Sequence, residues 1–156
     1  MADRSLAELL SPSRVVLGRS AGDWEEAVRQ VGDVLVGSGA VAEGYVNAMV
    51  ERERSLSTFV GEGVAIPHGT LAGRDLVRHD ALCVVQYPGG VDWHGDGVVL
   101  CVGIAARGDG HVPILAQLAE LLMEPDRAEA LRRAATPDEV LMLLTPDAPA
   151  LDAPTE

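Results

Sequence analysis

His68 stands in the segment Gly63-Val-Ala-Ile-Pro-His68-Gly-Thr70, with proline on one side, glycine on the other and a short apolar run before it. Proline fixes its own φ and carries no amide hydrogen, whereas glycine lets the backbone approach a ligand closely. An imidazole framed in this way is held on one side and open on the other, the setting of an active-site histidine. A turn that happens to contain histidine is the simpler reading of Pro67-His68-Gly69 taken alone, so other residues must decide. His111 follows Gly108-Asp-Gly110 and opens a stretch with helical spacing, in the first turn, where backbone N–H groups without intrahelical partners attract anions. It precedes Ile114 and Leu115 by three and four residues, which places it on the side of the buried stripe. Arg52 continues an inward stripe of Tyr45, Ala48 and Met49. Such an arginine either snorkels from the edge of the core or directs its guanidinium at an anion, and the loop leading to His68 follows it directly.

Several chemistries use two imidazoles and a guanidinium, and each has further requirements. A zinc site needs a third ligand, usually a carboxylate or cysteine at short spacing, which the sequence does not offer clearly. Ser-His-Asp hydrolysis needs a nucleophile elbow; Gly18-Arg19-Ser20-Ala21-Gly22 has the Gly-x-Ser-x-Gly pattern, which on its own is a weak signal. Nucleotide-dependent phosphorylation needs a Walker loop or a Gly-x-Gly-x-x-Gly fingerprint, and neither is present. Histidine as a covalent phosphoryl carrier fits best. In that chemistry His68 attacks through a neutral ring nitrogen while its other nitrogen donates to a carbonyl that fixes the tautomer. Phosphoryl transfer asks for in-line positioning and compensation of charge on the equatorial oxygens, tasks that His111, Arg52 and backbone amides can share without a metal or cofactor.

The elements that must position these residues are legible from periodicity. Asp23 with Glu26 reads as a capping box, after which Trp24, Ala27, Val28, Val31 and Leu35 keep helical spacing up to Gly37-Ser38-Gly39. A second helix is expected over Glu43 to Arg54. Strands are expected at Val15 to Leu17, Val64 to Ile66, Ala81 to Tyr87 and Val98 to Ile104, with a short one near Leu71 to Leu76. The runs Ala81-Leu-Cys-Val-Val-Gln-Tyr87 and Val98-Val-Leu-Cys-Val-Gly-Ile104 are nearly continuous in apolar residues, as in central strands covered on both faces. Turns are expected at Pro88-Gly-Gly90 and Gly95-Asp-Gly97. Ile114, Leu115, Leu118, Leu121 and Leu122 form a helical face. Pro125 restarts the chain before a short helix through Ala130 and Leu131, and Thr136-Pro-Asp-Glu139 carries a cap, a proline and a capping-box glutamate for a last helix. Interleaved strands and helices imply an α/β fold, a mixed sheet of roughly five strands with helices on both faces. One domain is expected over residues 1–145, with a disordered tail over 146–156 rich in Ala, Pro and Asp.

Charge and composition narrow the partners. The 156 residues include 24 acidic and 12 basic ones, for a formal charge of −12, and every basic residue is arginine. Nucleic acid is not an expected partner, and the acidic balance either steers a basic protein surface into contact or serves solubility alone. No apolar run suffices to span a bilayer and the first residues lack a signal-peptide core, so a soluble cytoplasmic protein is expected. Cys83 and Cys101 sit in strand-like apolar runs, as buried reduced thiols do. His79 and His94 lie in polar, turn-like contexts and read as surface residues.

The ordered motifs resemble the cytoplasmic IIA component of the sugar phosphotransferase system (PTS), the type-2 EIIA of the fructose and mannitol class. They are Arg52-Glu53, then Ser57-Thr58-Phe59-Val60-Gly61, Gly63 to Thr70, Gln86-Tyr87-Pro88 with Gly90-Val91, and Gly103-Ile-Ala-Ala-Arg107 leading to His111. The resemblance covers about residues 3 to 145. Gln86-Tyr-Pro88, Ile104-Ala-Ala-Arg107 and Asp109-Gly-His111 are more similar to the mannitol-specific branch than to the fructose or nitrogen-regulatory ones. The resemblance implies a phosphotransferase component in which the carrier protein HPr phosphorylates His68 and a cysteine of a permease IIB domain receives the group. It implies that His111 hydrogen-bonds the phosphoryl group and that Arg52 stabilises its charge. The absence of lysine departs from relatives that carry some and bears on partner recognition. A regulatory module using the same phosphohistidine as a binding switch is the alternative.

Overall fold

A computed structural model describes residues 6–107 and 110–144. The tail at 146–156, the end of the expected domain and Asp109 of the motif before His111 lie outside the described residues. The described strands are β1 (Val15–Val16), β2 (Phe59–Gly61), β3 (Val64–Ala65), β4 (Ala81–Trp93) and β5 (Asp96–Ala105). The helices are α1 (Trp24–Gly37), α2 (Gly44–Ser55), α3 (His111–Leu122), α4 (Pro125–Arg132) and α5 (Pro137–Leu143), with short 3-10 turns at Leu6–Leu9, Pro12–Arg14 and Ala72–Leu76.

One mixed sheet of five strands forms in the order β1-β4-β5-β3-β2. The pairs β1·β4 and β3·β5 are parallel, whereas β4·β5 and β2·β3 are antiparallel. Because side chains alternate along a strand, β4 and β5 bury both of their faces. Leu82, Val84, Leu100, Val102 and Ile104 pack with Ile114, Leu118, Leu121, Leu131 and Val140 on the α3–α5 side. Ala81, Cys83, Val85, Tyr87, Cys101 and Ala105 pack with Ala27, Val28, Val31, Leu35, Tyr45 and Met49 of α1 and α2. The expected layers, a mixed sheet between two sets of helices, are therefore present, and burial pushes the Cys83 thiol up to about 12 and Cys101 well above its usual value.

Local chemistry accounts for the helix ends. Asp23 accepts from the Glu26 amide, but Glu26 Oε1 reaches back to Gly22 N rather than to Asp23 N, so this cap is shifted by one residue from a capping box. At α5 the Thr136/Glu139 capping box is complete, with Pro137 in the first turn. α1 stops at Ser38, followed by Gly39 at φ +83°.

Three expectations need correction. The stretch expected as a strand near Leu71 to Leu76 is instead a 3-10 turn, Ala72–Leu76, because both the carbonyl and Oγ1 of Thr70 accept from Gly73 N and curl the chain. Pro88-Gly89-Gly90 is no turn but an irregularity inside β4. There the register passes from Gln86↔Leu100 to Val91↔Val98, and the extra residues are exposed. The chain reverses instead at His94-Gly95, both at positive φ (55° and 97°), the two-residue turn that matches strand twist; Asp96 and Gly97 already belong to β5. β2 and the 3-10 turns before β1 have no counterpart in the expected elements.

Candidate functional site

His68 lies just beyond β3, where it bridges in parallel to Ile104 at the end of β5. The Ile104 amide donates to Pro67 O at 2.9 Å. The Ile104 carbonyl accepts from the Tyr45 hydroxyl at 2.9 Å, and that same hydroxyl accepts from Gly69 N at 2.9 Å. The backbone on either side of His68 is thereby tied to one residue of the sheet. Gly69 permits this closeness, since a Cβ there would lie 2.5 Å from Tyr45 Cε1. Burial drives the Tyr45 hydroxyl up to about 12, so it stays a donor at neutral pH.

The His68 ring is oriented by Ile66. Nδ1 lies 2.9 Å from the Ile66 carbonyl, and because a carbonyl only accepts, Nδ1 carries the hydrogen. Nε2 of the neutral ring is left with its lone pair. Burial lowers the His68 pKa below 6.5; Arg52 and His111 lower it further, while the Ile66 hydrogen bond and Glu53 work the other way. The ring is thus neutral near pH 7, the form in which an imidazole can act as a nucleophile.

His111 is the first residue of α3 and is half-buried, as its spacing to the buried Ile114 requires. Its ring stacks beside that of His68, with centroids 6.1 Å apart and planes inclined by 25°. Arg52, in the last turn of α2, is half-buried and donates through Nη1 to Leu56 O at 2.6 Å. Arg52, His68 and His111 line one open cleft of about 650 Å³, together with Ser57, Thr58 and Thr70. All three expected site residues therefore meet, although Arg52 flanks the inward stripe of α2 rather than continuing it. The residue that continues the stripe is Glu53, which is 1% exposed.

Glu53 and Tyr45 carry more of the site than periodicity alone assigns them. Glu53 accepts from Thr58 N (2.7 Å), Thr58 Oγ1 (2.5 Å) and Trp93 Nε1 (2.7 Å). A glutamate eight residues after Tyr45 on an apolar stripe was the available signal. Asp80 Oδ1 accepts from Arg107 N at 2.8 Å, at the start of the connection to His111. Gln86, in the expected motif, is structural: its amide donates to Arg132 O and Ala134 O while its oxygen accepts from Gly18 N. His79 is exposed, as expected. His94, exposed at the hairpin tip, has partners nonetheless, its ring 4.9 Å from that of Trp24 and its Nε2 3.9 Å from Glu53 Oε2.

Residues 8–146 match the family described as "Phosphoenolpyruvate-dependent sugar phosphotransferase system, EIIA 2". The chain belongs to this family. Among EIIA 2 relatives, a multiphosphoryl transfer protein of Escherichia coli O157:H7 is 49% identical over 137 residues, 86% of this chain and 36% of its own length. The chain thus spans about a third of that relative. The mannitol-specific phosphotransferase enzyme IIA component of Staphylococcus aureus (strain Mu50) is 37% identical over 135 residues, covering 86% of this chain and 94% of its own. Among solved EIIA structures, IIA mannitol from Escherichia coli aligns with a TM-score of 0.81 at 38% identity, covering 86% of this chain and 98% of that one. The Escherichia coli complex of enzyme IIA-Mtl with phosphorylated enzyme IIB-Mtl aligns with a TM-score of 0.82 at 37% identity, covering 87% and 98%. The mixed five-stranded fold is that of these EIIA structures.

Proposed function

We propose that this chain is a phosphoryl carrier in which His68 Nε2 takes a phosphoryl group from phospho-HPr and hands it to the cysteine of a permease IIB domain, for mannitol. The observation that carries the reading is the Nδ1–H···O=C bond to Ile66, which leaves Nε2 bare at an open cleft shared with a second imidazole and a guanidinium. In the first step the bond between phosphorus and the donor breaks as Nε2–P forms. In the second a cysteine thiolate attacks phosphorus, S–P forms and Nε2–P breaks. The Nδ1 proton stays in place throughout, and the Ile66 carbonyl faces the positive charge that the ring gains on phosphorylation.

His111 hydrogen-bonds the phosphoryl oxygens and Arg52 supplies charge. Val60 and Leu71, exposed hydrophobics on the cleft wall, fit a docking protein. The sugar is proposed from relatives whose names say mannitol at 37–38% identity. No helix among the described residues is long and apolar enough to cross a membrane, and a cytoplasmic setting follows from the proposed donor. One domain over residues 1–145 goes with this reading.

Purified protein incubated with phospho-HPr should acquire an acid-labile, base-stable phosphoryl group, and His68→Ala should not. Uptake by the alanine variant at the normal rate would refute the nucleophile. His111→Ala should slow transfer more than it weakens binding to HPr; equal losses of rate and affinity count against its role. A panel of IIB domains reads the sugar, since the mannitol-type domain should be discharged to fastest. A regulatory role is the second reading, favoured by a TM-score of 0.78 at 26% identity to the nitrogen regulatory protein IIA-Ntr of Neisseria meningitidis. Stable phospho-dependent binding to a regulator, without rapid transfer to any IIB, would select it.

A further inference from the structure

We infer that Glu53 is a positioning residue for His68, acting through a relay of hydrogen bonds that sets which imidazole nitrogen carries the proton. The inference rests on the phosphoryl-carrier reading for its consequence but not for its geometry. Glu53 is among the few buried polar or charged residues, and the proposed chemistry makes no direct use of it. Three donors converge on its two oxygens, the demand that an ionised carboxylate, with acceptors only, can meet in full.

The relay runs from there to the reactive ring. Thr58, held by Glu53 through both its amide and its hydroxyl, offers its carbonyl to Ile66 N at 3.0 Å. Ile66 offers its own carbonyl to His68 Nδ1 at 2.9 Å. Ile66 is thus fixed at both ends, by Thr58 on one side and the imidazole on the other. Consecutive residues of the last turn of α2 divide the work on the link into β2: Arg52 holds the Leu56 carbonyl and Glu53 holds Thr58. Two other groups face Glu53 from the β4–β5 hairpin. Trp93 donates to Oε2, and His94 Nε2 lies 3.9 Å from that oxygen.

A purely structural glutamate, present to satisfy the Trp93 indole, would leave the His68 tautomer alone. Glu53→Gln keeps the shape but turns one acceptor towards a donor with an NH2 group, which breaks the anchorage at either Thr58 or Trp93. Ring ¹⁵N shifts of unphosphorylated protein report the tautomer directly. Wild type should show the proton on Nδ1. Glu53→Gln should move the His68 shifts towards a tautomer mixture and lower kcat for phosphoryl uptake roughly five- to tenfold, as a weakened hydrogen bond does, with KM for phospho-HPr unchanged. Thr58→Val removes only the hydroxyl link and should give a smaller change in the same direction; it carries the test if Glu53→Gln fails to fold. Wild-type His68 shifts in a folded variant overturn the relay. A tautomer shift in a protein that never accepts phosphate from phospho-HPr supports the relay and sinks the carrier reading instead.

Discussion

His68 has a lowered proton affinity, which raises the share of rings that are neutral and so able to attack. Burial disfavours the imidazolium, and Arg52 and His111 add repulsion, so the folded pKa lies below the ordinary 6.5. Only the neutral ring attacks phosphorus. The rate of phosphoryl uptake should therefore rise with pH, reach half its maximum below 6.5 and be flat through neutrality; a midpoint at or above 6.5 contradicts the assignment. The same shift has a sign for stability. A histidine with a depressed folded pKa adds stability above 6.5, and this is lost as pH falls through the folded value. His68, His111 and Arg52 were legible in sequence because proline, glycine and helix-start signals act on neighbours. The anchoring role of Glu53 was not, because its donors Thr58 and Trp93 are brought to it by the fold, the latter across 40 positions.

At the scale of elements, the site is positioned by how closely α1 and α2 sit on the sheet. Gly103 of β5 marks the tightest point, where a Cβ would stand 2.4 Å from Val31 Cγ1 and 2.7 Å from Cys83 Sγ. Gly103→Ala must push α1 away from β5, and we expect a loss of about 1–3 kcal/mol, typical of overpacking, in urea unfolding. An unchanged midpoint would show that the contact is softer than its geometry. β4 and β5 could be read from sequence because burial of both faces leaves continuous apolar runs. β2 could not, having three residues with no apolar alternation. The end of β4 is hidden in the sequence because Pro88-Gly89-Gly90 has the composition of a turn, while pairing on either side, Gln86 with Leu100 and Val91 with Val98, keeps the strand going.

Over the whole molecule the fold was legible because apolar periodicity is summed over many residues, whereas the site depends on a few individual bonds. The charge of −12 also acts at this scale. Its field extends about a Debye length, roughly 8 Å at physiological ionic strength, and under the proposed exchange with HPr it should speed encounter with a basic face of that protein. The association rate measured by stopped flow should fall steeply as salt is raised, with dissociation little changed; a salt-independent association rate would remove charge from recognition. The hairpin that holds His94 at its tip has a further consequence, in the order of assembly. β4 and β5 are joined by two residues and can zip locally, whereas Val64 of β3 must find Leu100 at long range before His68 can lie beside Ile104. Destabilising β5 with Val102→Ala should therefore slow folding, whereas Ala65→Gly in β3 should chiefly accelerate unfolding; the reverse pattern in chevron plots would refute this sequence of events. On the ribosome His68 emerges well before the strand that seats it, so the ring waits on a later part of the chain.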